Sequence, residues 1–218
     1  MTYEQIRKDE AVKVYIREAD HALEVLGFTE HAFPHVTTVA ERAGDILHAL
    51  GYPERTVELA KIAGYLHDIG NVVNRVDHSQ SGAVMAFRIL DRMDFPPEEI
   101  ATIISAVGNH DEGNGVPVNP VAAALIIADK SDVRRSRVRN CADIQTDIHD
   151  RVNYSATQSE VSIDREREVL NLSLTVDTEV SSLMEYFEIF MNRMLLCRKA
   201  AQALGMRFQL IINGQQMV

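Results

Sequence analysis

The chain has 218 residues, of which 46% are hydrophobic and 25% charged, and its formal net charge is −10. This composition is that of a globular protein of one or two domains, and the negative charge argues against a broad nucleic-acid-binding surface. No apolar run approaches the about 18 residues that cross a bilayer, and the N-terminus lacks the apolar core of a signal peptide. With only two cysteines, Cys141 and Cys197, we expect a reduced, cytoplasmic protein.

Residues 1–150 have the pattern of a series of helices. Apolar residues recur at helical spacing over residues 3–26 and again over 35–50, which predicts two amphipathic helices. Further helices are expected to begin where proline or a capping residue suits the first turn. These starts are Pro53, His78, Pro96-Pro97 and Asn119-Pro120. We therefore predict a mainly α fold, with a helical domain over residues 1–150.

The pattern changes in residues 153–218. Apolar and polar residues alternate twice over 161–176, on both sides of a polar turn, and this alternation is typical of a β-hairpin. An amphipathic helix over 180–201 and a last strand over 208–212 complete a small α+β (ββαβ) module. The exposed edge of its sheet and its apolar helix favour association with a second copy as a homodimer.

The central motif of the chain is His67-Asp68, which follows a small, apolar helical segment and precedes Gly70. Imidazole nitrogen and carboxylate oxygen atoms are common ligands of zinc, iron and manganese. Adjacent helical residues point in different directions, but Gly70 can end the helix and let both side chains point at one site. An isolated His-Asp dipeptide is more often structural than metal-binding. The interpretation therefore depends on the other ligand-type residues of the chain.

Other metal-ligating residue types accompany this pair. Three histidines are predicted where helices start or stop, and one aspartate lies inside a helix; they are His35, His78, His110 and Asp129. Ends of neighbouring helices in a bundle can converge on one cleft. Four histidines and two aspartates are enough for two metal ions with one carboxylate bridging them, so we predict a metal site.

In their order and local contexts, these residues resemble the HD-domain superfamily of metal-dependent phosphohydrolases. The resemblance covers about residues 30–140. The matching segments are His35-Val36-x-x-Val39-Ala40, Leu66-His67-Asp68-Ile69-Gly70, His78-x-x-x-Gly82-Ala83 and Ala128-Asp129-Lys130. His31 is the nearest rival to His35, but only His35 has the Val-x-x-Val-Ala continuation.

The resemblance implies an all-helical HD domain that hydrolyses a phosphoester or phosphoanhydride bond of a nucleotide or dinucleotide. It implies that the primary metal ion is bound by His35, His67, Asp68 and Asp129. His78 and His110 match the positions that hold a second ion in dinuclear members. We expect two divalent transition metal ions (iron, manganese, zinc or nickel), with Asp68 bridging them and water activated by the metal.

Three further positions are candidates for catalysis or for binding of the substrate. Asp111, or its neighbour Glu112, is expected to orient water or to accept a proton. Lys130 and Arg134 follow Asp129 within two helical turns, and such cations bind phosphate.

Two departures disfavour cyclic di-GMP as the substrate. The branch of the superfamily that cleaves it has lysine and histidine where this chain has Asn71 and Asn109.

Two alternative functions stay open at this point. A single metal ion in the primary set would suit a phosphatase that acts on a mononucleotide. A sensor that binds a nucleotide or second messenger without turnover is also compatible, since a fold does not fix a function. Metal content per chain separates the two enzymes.

Overall fold

The structure, a computed structural model, describes residues 1–139, 144 and 147–217, so Cys141 lies outside the described residues. The elements in chain order are α1 Tyr3–Lys8, α2 Glu10–Val25, α3 Phe33–Ala49, α4 Glu54–Leu66, α5 His78–Arg92, α6 Pro97–Gly108, α7 Pro120–Lys130, α8 Ile148–Ser155, β1 Ala156–Asp164, β2 Val169–Val176, α9 Leu183–Ala203, β3 Arg207–Ile212 and β4 Gln215–Gln216. The predicted fold class, a mainly α bundle followed by a small α+β module, is confirmed. None of the described helices combines the length and apolarity needed to span a membrane.

Two predicted helices differ from the structure at their ends. The helix expected over 3–26 is two helices, because Asp9 has an extended backbone and its side chain accepts a hydrogen bond from Val12 N. This bond caps α2 and separates it from α1. The last helix begins at Leu183 because Ser182 and Glu185 form a capping box there, which satisfies the first amide groups of α9.

The C-terminal sheet has the strand order β1-β2-β3-β4. β1 and β2 form the predicted antiparallel hairpin, with Asp164 paired to Val169 at the turn. β3 lies parallel to β2, with Leu210 opposite Leu172. Parallel strands need a long crossover connection, and α9 provides it.

One hydrophobic core continues through the bundle and the module. The centre of this core is α7, whose residues Val121–Ala128 are all buried. Its run of apolar residues has no polar face, so α7 must be covered on every side. It packs against α3, α4, α6 and α9, and the residue that follows this apolar run is Asp129. The proposed domain boundary near residue 150 stays a prediction.

Helices α3 and α4 approach closely at Gly64. A Cβ atom at this position would lie 2.7 Å from Ala40 Cα and 2.9 Å from Ala40 N. Only glycine therefore lets the two backbones meet here without displacement. The carbonyl group of Gly64 also accepts a hydrogen bond from His67 Nδ1 at 2.8 Å, so this packing places His67.

We expect Gly64→Ala to lower the free energy of unfolding by about 1–3 kcal/mol, because the added methyl group overpacks two backbones. The loss should appear although alanine has the higher helix propensity, by about 1 kcal/mol. Urea denaturation followed by circular dichroism measures it.

Gly44→Ala is the matched control on α3. A Cβ atom there meets the far end of the Lys61 side chain, with Cε at 2.5 Å, and that flexible chain can move away. An equal loss of stability in both variants would contradict the role assigned to Gly64.

Candidate metal centre

Four imidazoles and two carboxylates converge between the helix ends. The five ligand-type side chains other than Asp129 are buried, and Asp129 is partly exposed. His35 lies in the first turn of α3, His67 caps the C-terminus of α4 and His78 begins α5. His110 follows α6, and Asp129 lies in the last turn of α7.

Four donor atoms form a first group. His35 Nε2 lies 3.3 Å from His67 Nε2, and 3.5 Å from both Asp68 Oδ2 and Asp129 Oδ1. His67 Nε2 lies 3.2 Å from Asp68 Oδ2 and 3.7 Å from Asp129 Oδ1. Atoms bound to one ion at about 2.0–2.2 Å lie roughly 3–3.5 Å apart. The first group therefore has nearly the spacing of a metal coordination sphere.

A second group lies on the other side of Asp68. His78 Nε2 is 3.2 Å from His110 Nε2, and Asp68 Oδ1 is 3.4 Å from His78 Nε2 and 3.8 Å from His110 Nε2. Asp111 Oδ1 lies 4.0 Å from His78 Nε2. The two carboxylate oxygen atoms of Asp68 thus belong to different groups, which is the arrangement of a bridging ligand.

All four imidazoles are held in the same tautomer by their outer nitrogen atoms. Each Nδ1 contacts an oxygen atom that only accepts hydrogen bonds, so Nδ1 carries the hydrogen and a neutral Nε2 presents its lone pair to the centre. The acceptors are Asp132 Oδ2 for His35 at 2.7 Å, Gly64 O for His67 at 2.8 Å, Arg75 O for His78 at 3.1 Å and Val107 O for His110 at 2.6 Å.

This donor set fits divalent cations. When the imidazoles are neutral, their Nε2 lone pairs face one another in pairs, and the carboxylates of buried Asp68 and partly exposed Asp129 add negative charge at the same place. Burying a charge without compensation costs several kcal/mol per ion. A cation between these atoms would compensate both the facing lone pairs and the carboxylate charge. Imidazole together with carboxylate is a ligand set of zinc, iron, manganese and nickel.

The pKa values in the centre point to the same conclusion. Burial lowers the pKa of His67, but the Asp68 and Asp129 carboxylates outweigh it and raise this pKa to about 10. Burial raises the pKa of Asp68, but the His67 and His35 imidazoles hold it well below its usual range. Burial lowers the pKa of His110 to about 3. The first group therefore attracts positive charge, and His110 stays neutral, as a metal ligand must.

Two residues that position the candidate ligands are not predicted from the sequence. Asp132 accepts the hydrogen bond from His35 and is itself bound by Arg134 Nε at 2.8 Å. Asn71 Nδ2 donates to Asp68 Oδ1 at 3.0 Å. The sequence offers a weak signal for Asp132, which lies three residues after Asp129, whereas Asn71 is visible only as a departure from a related branch.

Glycine also brings His78 to the centre. Gly70 lies in the 3₁₀ turn Ile69–Val72, directly after His67-Asp68. A Cβ atom on Gly70 would collide with His78 O and Gly82 N. The turn can lie against the start of α5 because Gly70 lacks this atom, and His78 thereby reaches Asp68.

The structure gives the three predicted catalytic residues different surroundings. Asp111 lies beside the second group, as described above. Lys130 Nζ is 2.7 Å from Asp129 Oδ2 and 3.3 Å from Glu112 Oε1. Arg134 binds Asp132 and is absent from the described residues that line the adjoining cavity, so the structure places it behind the ligands. Its predicted contact with substrate stays a prediction.

A cavity of about 410 Å³ opens onto the centre, a volume in the range of small-molecule sites. His31 lines this cavity and its Nδ1 contacts Thr29 O at 2.6 Å. The cationic side chains of the lining are Arg75, Lys130, Arg137 and Arg193. The last of these belongs to α9, so the C-terminal module forms part of the wall.

Comparisons with known proteins identify the helical region. Residues 32–134 match the HD domain family, and the predicted resemblance of this region to the HD-domain superfamily is confirmed. The uncharacterised protein MJ1020 of Methanocaldococcus jannaschii is 26% identical over 174 residues, which are 67% of this chain and 66%, just under two thirds, of that protein. The crystal structure of a predicted HD superfamily hydrolase from an uncultured Thermotogales bacterium has a TM-score of 0.47 and 25% identity. The matched region covers 60% of this chain and 73% of the chain in that structure. The HD domain supports a metal-dependent phosphohydrolase in general terms.

We expect Asp132→Asn to weaken metal binding about 10- to 100-fold, because His35 loses the charged acceptor that orients its ring and strengthens its Nε2 lone pair. Titration with manganese against a competing chelator measures the affinity. Asp45→Asn removes the same charge from an exposed position of α3 and should leave the affinity unchanged. Equal manganese affinities in Asp132→Asn and Asp45→Asn would contradict the role assigned to Asp132.

Proposed function

We propose that the protein is a dinuclear metal-dependent phosphohydrolase that cleaves a phosphoester or phosphoanhydride bond of a nucleotide or dinucleotide. The observation that carries this proposal is the position of Asp68, whose Oδ2 belongs to the first ligand group and whose Oδ1 belongs to the second. A site for one ion would need only the first group. The second pair of histidines, and the shared carboxylate between the pairs, support two ions.

The candidate ligands are His35, His67, Asp68 and Asp129 for one ion and Asp68, His78 and His110 for the other. Two bound ions would supply a nucleophilic water at neutral pH and would neutralise charge on the phosphoryl oxygen atoms.

The chain's own residues complete the site around these ligands. Lys130 lies against Asp129 and lines the cavity, where its ammonium group can bind a phosphoryl oxygen. Asp111 lies beside His78 with a partly exposed carboxylate, where it can orient water or accept a proton. Arg75 and Arg137 line the cavity as well, so a chain of net charge −10 presents positive charge to an anionic substrate.

The outer wall of the cavity supports a nucleotide as the organic part of the substrate. Residues 26–29 form this wall, and the guanidinium carbon of Arg75 lies 5.4 Å from the Phe28 ring centroid. An aromatic ring beside a cation gives a base a surface to stack on and gives a phosphate a partner.

A mononuclear phosphatase is the second candidate. The second ligand group is looser than the first, with His110 Nε2 at 3.8 Å from Asp68 Oδ1 and Asp111 Oδ1 at 4.0 Å from His78 Nε2. A looser group binds its ion more weakly, so one ion per chain would favour this candidate.

Two finer predictions about the whole molecule belong to the same proposal. Met184, Met191 and Leu195 of α9 are exposed apolar residues, which supports association with a second copy. Cys197 is a buried free thiol, which suits a reducing, cytoplasmic compartment.

We expect about two metal ions per chain and manganese-dependent hydrolysis of bis-p-nitrophenyl phosphate or p-nitrophenyl phosphate. Asp68→Ala should abolish binding of both ions and lower kcat/KM by about 10³-fold or more, since two ions supply several kcal/mol of the transition-state stabilisation. Elemental analysis and steady-state kinetics measure the two effects.

His110→Ala tests the number of ions separately. It should retain about one ion per chain, because the first group is intact, and Asp45→Ala on the exposed face of α3 should retain two. Wild-type protein with one ion would establish the mononuclear candidate, and protein with no ion and no turnover would exclude both enzymes.

A further inference from the structure

Arg193 is the one charged side chain of α9 among the described residues that line the cavity. Its guanidinium carbon lies 4.4 Å from the centroid of the Phe190 ring, and its Nε lies 2.6 Å from Glu112 Oε1. Phe190 is buried, and the Arg193 side chain is 25% exposed. The ring and the carboxylate contact the guanidinium group from two sides and restrain it more than water restrains a solvated surface arginine.

Glu112 connects Arg193 to the metal centre. The same oxygen atom, Glu112 Oε1, lies 3.3 Å from Lys130 Nζ, and Lys130 Nζ lies 2.7 Å from Asp129 Oδ2. Acidic and basic groups thus alternate from the candidate ligand Asp129 to α9. Arg193 and Lys130 are neighbours on one carboxylate, so an anion that reaches Lys130 from the cavity also comes close to Arg193.

The guanidinium group of Arg193 keeps unused donors. In the described part of the chain its Nε faces Glu112, and neither Nη atom has a hydrogen-bond acceptor. The two Nη groups carry N–H bonds in a planar arrangement that matches two oxygen atoms of a phosphate. A side chain fixed in this way loses little conformational freedom when an anion binds.

We propose that Arg193 is a substrate-binding residue that the C-terminal module supplies to the HD domain, and that its Nη groups bind non-bridging oxygen atoms of the substrate's phosphate. The role rests on the proposed phosphohydrolase activity. Glu112 is the positioning residue that directs this guanidinium group. The substrate class is a phosphate ester or anhydride with a doubly charged phosphate group, for which a second cation beside Lys130 matters most.

The test compares Arg193→Gln and Arg193→Lys with Arg198→Gln, which removes the same charge from an exposed position of α9 outside this cavity. For p-nitrophenyl phosphate, a dianion, Arg193→Gln should raise KM about 10- to 100-fold, the loss expected for a charged hydrogen-bonded pair. For the monoanion bis-p-nitrophenyl phosphate the rise should be smaller. Arg193→Lys should fall between wild type and Arg193→Gln, and metal content should be equal in all variants.

Inorganic phosphate provides a readout that does not need turnover. Calorimetric titration of the manganese-loaded protein should show phosphate binding that weakens in Arg193→Gln by the same factor as KM, and stays unchanged in Arg198→Gln. If wild type hydrolyses neither substrate, the proposed function fails, and this titration still decides the role of Arg193. Equal phosphate affinity in Arg193→Gln and Arg198→Gln would overturn the proposal.

Glu112→Gln distinguishes two roles of Arg193. One is phosphate binding, and the other is a purely structural contact between α9 and the loop after α6. It keeps the Arg193 charge in the cavity, so its effect on KM should be smaller than that of Arg193→Gln. If both variants show the same KM and the same fall in melting temperature, Arg193 only holds the helix in place and the proposal is wrong.

Discussion

The structure depends on the close approach of six side chains of metal-ligating type, five of them buried and Asp129 partly exposed, in two adjoining groups. Neighbouring Nε2 atoms of the four imidazoles and carboxylate oxygen atoms of Asp68 and Asp129 lie 3.2–3.8 Å apart. Such a set lowers the stability of the fold unless a cation compensates it. Each imidazole is therefore fixed from outside by a hydrogen bond at Nδ1 and has few other orientations. A ligand held in advance loses less entropy when a metal ion binds.

The backbone contributes to this arrangement through close contacts that larger residues would prevent. Gly64 lets α4 lie directly on α3, and Gly70 lets the turn after Asp68 lie on the start of α5. The uninterrupted apolar sequence of α7 then fills the middle of the bundle and carries Asp129 to the same point. Packing and metal chemistry thus depend on the same contacts, so a change in helix packing here is also a change in ligand geometry.

The sequence predicts the candidate ligands well because each has a local signature, such as a helix end with glycine or proline and a recurrent set of neighbours. It also predicts the ββαβ module, since alternation in β1 and β2 and the helical period of α9 are strong signals. It does not predict the break at Asp9, because the apolar spacing continues through that residue while its side chain caps α2. The hydrogen bond from His35 to Asp132 joins α3 to the segment after α7 and has no local signature.

Arg193 shows how far such non-local effects extend. In the sequence it is a charged residue on the polar side of an amphipathic helix, and the simplest interpretation is a solvated side chain. The fold instead packs α9 against α7 and directs Arg193 to Glu112 and the cavity. The HD domain match ends at residue 134, whereas the cavity wall includes Phe190 and Arg193. With the role proposed for Arg193, the HD domain supplies the candidate ligands for the metal, and the module that follows it takes part in selecting the phosphate compound that binds.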